Sequence, residues 1–242
     1  MRYQKSKIRG KAAYPYIHFP KEFFIMKIRK RALLTAAMML LMTGMAGCSN
    51  TQKNDPAAEI QEVAELTDKQ FVITLYPEYA PITCENFEKL VNEGFYNGII
   101  FHRVIEDFMA QGGDPTGTGM GGSNCTIHGE FSRNGVDNTL SHTRGVVSMA
   151  RANDPNSASS QFFICYSDSC NFLDGDYAAF GKVTEGMEVV DNFLKVPRNV
   201  SSSGELSEPQ TPITMDKVEM YAKDADGHDR VLVTMQDFLP KE

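Results

Sequence analysis

Hydrophobic and polar positions along this chain of 242 residues change period several times, and each change marks an element. Phe71-Val72-Ile73-Thr74-Leu75-Tyr76 is a β-branched and aromatic run that reads as a strand, with Pro77 and Pro81 making the turn after it. Thr83 is placed to cap a helix over residues 84–92, with Phe87, Leu90 and Val91 on one face and Gly94 at its end. Further strands are predicted over residues 98–104, 108–112, 146–150, 161–165 and 180–183. The turn cluster Asn153-Asp154-Pro155-Asn156 separates the third and fourth of these. Residues 187–194 read as a second helix, with Met187, Val190 and Leu194 on one side. Residues 199–212 read as a polar loop, and residues 213–221 alternate as a closing strand. Many short strands, two helices and closely spaced turns predict a mainly β fold closed into an antiparallel barrel.

The first part of the chain follows another pattern. Met26-Lys27-Ile28-Arg29-Lys30-Arg31 is basic, residues 32–42 are apolar, and Met45-Ala46-Gly47-Cys48 follows. This resembles a bacterial lipoprotein signal peptide, in which Cys48 is lipidated and becomes the mature N-terminus. The apolar run is shorter than the ~20 residues a membrane-spanning helix needs. Residues 1–25 fit neither a domain nor a signal, and translation is expected to start at Met26. The expected organisation is an upstream extension over 1–25, a signal peptide over 26–47 and a flexible acidic tether over 48–67. A folded domain is expected over 68–223 and a C-terminal extension over 224–242. The sequence leaves open whether Val231-Leu232-Val233 and Phe238-Leu239 of that extension pack on the domain.

Charge changes the picture once the signal is set aside. Ten of the 24 Lys and Arg, and one of the 31 Asp and Glu, lie in residues 1–47. The remainder has a net charge near −16, which repels nucleic acid and anionic headgroups. Nucleic acid is therefore not expected as a partner, and the membrane link is the lipid on Cys48. Of the other cysteines, Cys165 sits in an apolar run and reads as a buried thiol, while the pairing of Cys84, Cys125, Cys165 and Cys170 is left open. No CxxC or His/Cys spacing suggests a metal site.

The chemistry concentrates in three blocks. The first is Phe101-His102-Arg103-Val104-Ile105-Glu106-Asp107-Phe108-Met109-Ala110-Gln111-Gly112-Gly113-Asp114. Strand alternation predicts that Phe101 and Arg103 share a face, as do Met109 and Gln111. A guanidinium and an amide would then rim an apolar patch suited to a peptide carbonyl group. The second block is Ser148-Met149-Ala150-Arg151 leading to Ser159-Ser160-Gln161-Phe162-Phe163-Ile164, where Phe162 and Phe163 must face opposite sides. The third is Asn171-Phe172-Leu173-Asp174-Gly175 leading to Phe180-Gly181-Lys182-Val183. Gly117, Gly119, Gly121 and Gly122 lack the Lys-Ser/Thr of a phosphate-binding loop and read as a turn that lets a peptide approach the backbone. His102 and His142 lie near Ser141 and Ser148, but no nucleophile-elbow pattern accompanies them, so a backbone-satisfied structural histidine is expected.

In order and spacing, the three blocks resemble the cyclophilin family of peptidyl-prolyl cis-trans isomerases over roughly residues 70–221. With the signal region, the chain is similar to exported cyclophilin lipoproteins of bacteria. The resemblance implies a closed antiparallel eight-stranded β-barrel with two capping α-helices, rotation about X-Pro bonds as the activity, and no cofactor. It assigns Arg103 as the catalytic arginine, with Phe108, Met109, Phe163 and Leu173 as walls of a proline pocket. Gln111 holds the substrate backbone, Ala150 and Arg151 form an edge that bonds the peptide, and Gln161 with residues 119–122 forms the rim. Phe172 stands where many members have tryptophan and Tyr177 where many have histidine, so weak cyclosporin binding is expected. Proline-containing polypeptides, unfolded or exported, are the expected partners, and the location is extracytoplasmic. The alternative is a non-catalytic surface lipoprotein that captures proline peptides through the same pocket.

Overall fold

The computed structural model describes residues 65–239. The predicted signal, Cys48 and nearly all of the tether lie outside the described residues. The main sheet contains β1 (Gln70–Leu75), β2 (Phe101–Ile105), β3 (Met109–Gly112), β4 (Val146–Met149), β5 (Phe162–Cys165) and β6 (Ala179–Glu185). A separate hairpin follows from β7 (Arg198–Val200) and β8 (Leu206–Pro209), and the main sheet is completed by β9 (Met215–Tyr221) and β10 (Arg230–Met235). The strand order is β2-β3-β5-β4-β6-β1-β10-β9, and every neighbouring pair is antiparallel.

The fold is mainly β with an eight-stranded main sheet, as expected, but the predicted closed barrel is not formed. The sheet is open and strongly curled, and its edges β2 and β9 meet at a short seam where the two strands begin. There Ile100 bridges Thr214, Phe101 N donates to Ile213 O at 2.9 Å, and Met215 N donates to Ile99 O at 3.0 Å. Beyond the seam β2 packs against β8, so the hairpin covers the edge that a closed ladder would have paired. The region read as a polar loop is thus a structural element.

β10 resolves the question left open for the C-terminal extension. Its residues pair with β1 on one side, Phe71 opposite Val233, and with β9 on the other, Val218 opposite Val233. Val231 and Val233 face the core while Leu232 alternates away. Phe238 packs edge-on against Phe193 at 5.3 Å. The extension therefore supplies an interior strand of the sheet.

α1 (Pro81–Asn92) begins two residues before Thr83, which is not its cap. Proline at the first helical position sacrifices no bond there, because that N–H has no partner within a helix. The next donors are taken from afar. The carboxylate of Glu130 accepts from Ile82 N at 3.0 Å, from Thr83 N at 2.8 Å and from the Thr83 hydroxyl at 2.7 Å. Its negative charge also complements the positive end of the helix. The buried face of α1, led by Phe87 and Leu90, enters a core of Tyr96, Phe162 and Phe180, whose rings meet Phe87 at 5.1–5.4 Å. α2 (Met187–Asp191) is shorter than predicted and continues as a 3₁₀ turn over Asn192–Lys195.

One irregularity positions the site. The pairing of β2 with β3 shifts register between Phe101 and Arg103, a β-bulge at His102. Simple alternation put Phe101 and Arg103 on one face. The bulge instead sends Phe101 into the core, fully buried, and leaves Arg103 on the opposite surface beside Gln111.

Ending the chain at Lys223 removes β10 and exposes both of its neighbours. We expect that truncated protein to lose cooperative thermal unfolding, measured by circular dichroism. An unchanged transition would show the strand to be dispensable.

Candidate active site

On the sheet face opposite the main core, a second cluster buries Met109, Phe163, Cys165, Cys170 and Leu173. Strand alternation builds it. On β3 Ala110 points to the core and its neighbours Met109 and Gln111 point out, and on β5 Phe162 is core while Phe163 faces the cluster. The two phenylalanines divide as the sequence required. The cluster floors a cavity of about 170 Å³ lined by nine of the eleven residues expected for the site, Arg103 to Tyr177. That is below the ~300–1,000 Å³ of drug-sized ligand sites and suits a single side chain.

The other two expected residues stand next to it. Phe172 is 65% exposed at the rim, its ring tilted against Phe108 at 5.7 Å. Gln161 lies behind Gln111 and lines the adjoining groove with Gly119 and Gly121. Tyr177 stands edge-on to Phe163 at 5.9 Å, and the Arg151 guanidinium covers the Tyr177 ring at 4.8 Å and the Phe131 ring at 5.1 Å. Arg151 Nε also donates to Asp176 O at 3.0 Å, so the side chain braces the pocket wall.

The polar rim is one continuous chain of hydrogen bonds. Arg103 Nη1 donates to Gln111 Oε1 at 3.2 Å, and Gln111 Nε2 donates to Gln161 Oε1 at 2.9 Å. Gln161 Nε2 in turn donates to Gly119 O at 3.0 Å and Gly121 O at 2.7 Å. These contacts fix both amide orientations and tie Arg103 to the glycine loop. At its other edge Arg103 is held by Glu205, with Nε at 3.1 Å from Oε2 and Nη2 at 3.0 and 2.9 Å from the two oxygens. Glu205 was not anticipated from the sequence. Ser201-Ser202-Ser203-Gly204 between apolar positions was a usable hairpin signal.

The loop that receives Gln161 is organised by the buried Asp114. Its carboxylate accepts from Thr116 N at 2.7 Å, Thr118 N at 3.0 Å, Gly119 N at 2.6 Å and Gly121 N at 3.1 Å. Burial alone would raise its pKa, but these donors outweigh burial and hold it at about 2. A side chain at position 121 would collide with the Asp114 carboxylate, which explains the glycine there.

Beneath Phe163 lies a Ser-His-Asp arrangement. His142 Nδ1 is 2.7 Å from Asp174 Oδ1, and its Nε2 is 2.9 Å from Ser148 Oγ. The histidine is satisfied by side chains, where backbone partners were expected. Ser148 and His142 are buried, and the imidazole stacks on Phe163 at 6.0 Å. With no open face for a substrate, the group supports the pocket wall. Cys84, Cys125, Cys165 and Cys170 are free thiols, and burial raises the Cys84 pKa to about 12. Cys165 is buried, as its apolar surroundings implied.

Burial lowers the pKa of His142, only partly opposed by its bond to Asp174. The folded state therefore resists protonation more than the unfolded chain does. Stability from this group is complete above its ordinary value of about 6.5 and is lost as pH falls through the depressed one. His102, also lowered by burial, acts in the same sense, whereas His228, raised chiefly by Asp224, acts oppositely. Replacing His142 with asparagine should flatten the unfolding free energy measured by urea between about pH 7.5 and about pH 5. Identical slopes in both proteins would contradict this assignment.

Comparisons with known proteins identify the family. Residues 61–220 match the family described as cyclophilin type peptidyl-prolyl cis-trans isomerase/CLD. A peptidyl-prolyl cis-trans isomerase-like 1 of Neurospora crassa is 47% identical over 134 residues, covering 55% of this chain and 80% of that one. A peptidyl-prolyl cis-trans isomerase of Schizosaccharomyces pombe is 50% identical over 121 residues, covering 50% and 76%. Among solved structures, a cyclophilin-type isomerase of Cryptosporidium parvum, crystallised with the dipeptide Ala-Pro, aligns with a TM-score of 0.54 at 32% identity. That alignment covers 69% of this chain and 93% of the other.

Proposed function

The chain belongs to the cyclophilin-type peptidyl-prolyl cis-trans isomerases, and we propose that it performs this isomerisation with Arg103 as the catalytic group in the cavity above Met109 and Phe163. Rotation about an X-Pro bond crosses ~18–20 kcal/mol because twisting destroys amide resonance. In the twisted state the proline nitrogen becomes pyramidal and regains a lone pair. A guanidinium N–H directed at that nitrogen stabilises the twisted amide more than either planar form, which is the differential binding that catalysis requires. The apolar walls Phe108, Met109, Phe163 and Leu173 hold the proline ring and exclude water, strengthening that hydrogen bond. Gln111 and the backbone at Ala150 and Arg151 hold the peptide on the other side of the turning bond.

The observation that carries this reading is the convergence of Arg103 on the apolar cavity while hydrogen-bonded to Gln111. Arg103→Ala should lower kcat/KM on a proline peptide by roughly 10²–10³-fold, the cost of removing a preorganised donor. Its thermal stability should stay close to that of the wild type, since the side chain is part-exposed. Wild-type turnover in the variant would overturn the role of Arg103.

The reading extends to location and ligands. The segment over residues 26–48 supports export and lipidation at Cys48, with proline-containing exported polypeptides as clients. A Cys48→Ser variant should then lose its lipid mass and leave the membrane fraction, and an unmodified Cys48 in the mature wild type would exclude the anchor. Phe172 lacks an indole N–H, which supports weak cyclosporin binding. Phe172→Trp should tighten inhibition by that drug, and tight inhibition of the wild type would refute the expectation.

A further inference from the structure

We propose that Glu205 is a positioning residue for Arg103, which makes the β7–β8 hairpin part of the active site. The inference rests on the reading of Arg103 as the group that acts on the proline amide.

Arg103 has a long side chain and is a third exposed, so packing alone does not fix its guanidinium. Gln111 takes one N–H of Nη1, a single bond about which the plane can still turn. Glu205 supplies the second restraint. Its two oxygens face the Nε and Nη2 edge in a side-on pair, which sets the orientation of the planar group as well as its place. Three of the five N–H groups are engaged in this way. Those remaining on Nη1 and Nη2 are left for a substrate.

Glu205 is itself held in place. Ser201 N donates to Glu205 O at 2.7 Å, Glu205 N donates to Ser201 Oγ at 3.3 Å, and Gly204 takes the left-handed turn conformation. β8 packs on β2, so the hairpin is registered against the strand that carries Arg103. The same hairpin walls a polar groove of about 570 Å³ that begins at Arg103 and Gln111 and passes residues 117–119. Glu205 therefore stands between the proline cavity and the surface over which a longer peptide would continue.

A carboxylate beside the guanidinium also withdraws part of its positive field, which by itself would slow the reaction. The carboxylate side chain is 42% exposed, so water screens much of that field. Orientation is unaffected by that screening.

The test uses exchange spectroscopy on a proline peptide together with the Arg103 Nε–H resonance of the labelled protein. Glu205→Ala should lower kcat by roughly tenfold, less than the ~10²-fold that a full 1 Å misplacement can cost, with peptide affinity changed less than about twofold. The Nε–H signal should lose its protection from exchange with water, and the melting temperature should stay unchanged. Glu205→Gln, which keeps one acceptor oxygen, should fall between the two. An unchanged kcat or an unchanged Nε–H signal would overturn the proposal, and a raised kcat would make the pair a restraint on activity. If Arg103→Ala alone retains full turnover, the role of Arg103 fails and this inference with it. If Arg103→Ala is inactive while Glu205→Ala is not, only the positioning role fails.

Discussion

The bulge at His102 is the constraint on which the site depends. β2 must do two incompatible things within three residues: bury Phe101 in the aromatic core and present Arg103 to the opposite surface. Regular alternation allows one or the other. An extra residue opposite β3 allows both, placing the guanidinium beside Gln111 while Phe101 seals the core against Phe162 and Phe193. The cavity walls on β3 and β5 need no such device, because Met109, Gln111 and Phe163 all fall on the outward phase of ordinary strands.

From that point the rim is a single connected unit. Glu205, Arg103, Gln111, Gln161 and the carbonyls of Gly119 and Gly121 form an unbroken chain, and Asp114 anchors the loop at its far end. Each member limits the freedom of the next, so the guanidinium is oriented before a substrate arrives. Below it, Phe163 rests on His142, which Asp174 and Ser148 hold in place. Rotation about a peptide bond needs no proton transfer and no covalent intermediate. It needs a donor held still against an apolar wall, and both supports serve that end.

Part of the pocket was legible from period-two alternation, which pairs Met109 with Gln111 and separates Phe162 from Phe163. Arg103, displaced by the bulge, and Leu173, on a 3₁₀ turn, were reached only through the family resemblance. What remained hidden was set by contacts across space. The start of α1 depends on Glu130, 47 residues from Thr83. The open edge of the sheet depends on a hairpin that read as a polar loop. The ion pair at Arg103 joins residues 102 positions apart, and no local pattern announces it. The place of β10 stayed open because the family resemblance stops short of it, and its alternating valines fill the slot between β1 and β9.

The central claim is that a fixed guanidinium, and not merely a positive charge, turns the pocket into a catalyst. Arg103→Lys separates the two, because lysine keeps the charge and loses the planar fork. Measuring peptide affinity and cis–trans exchange on the protein by NMR in that variant is the most direct test. The account predicts affinity within a few-fold of the wild type and an exchange rate lower by at least about tenfold. Wild-type exchange rates in the lysine variant would contradict it.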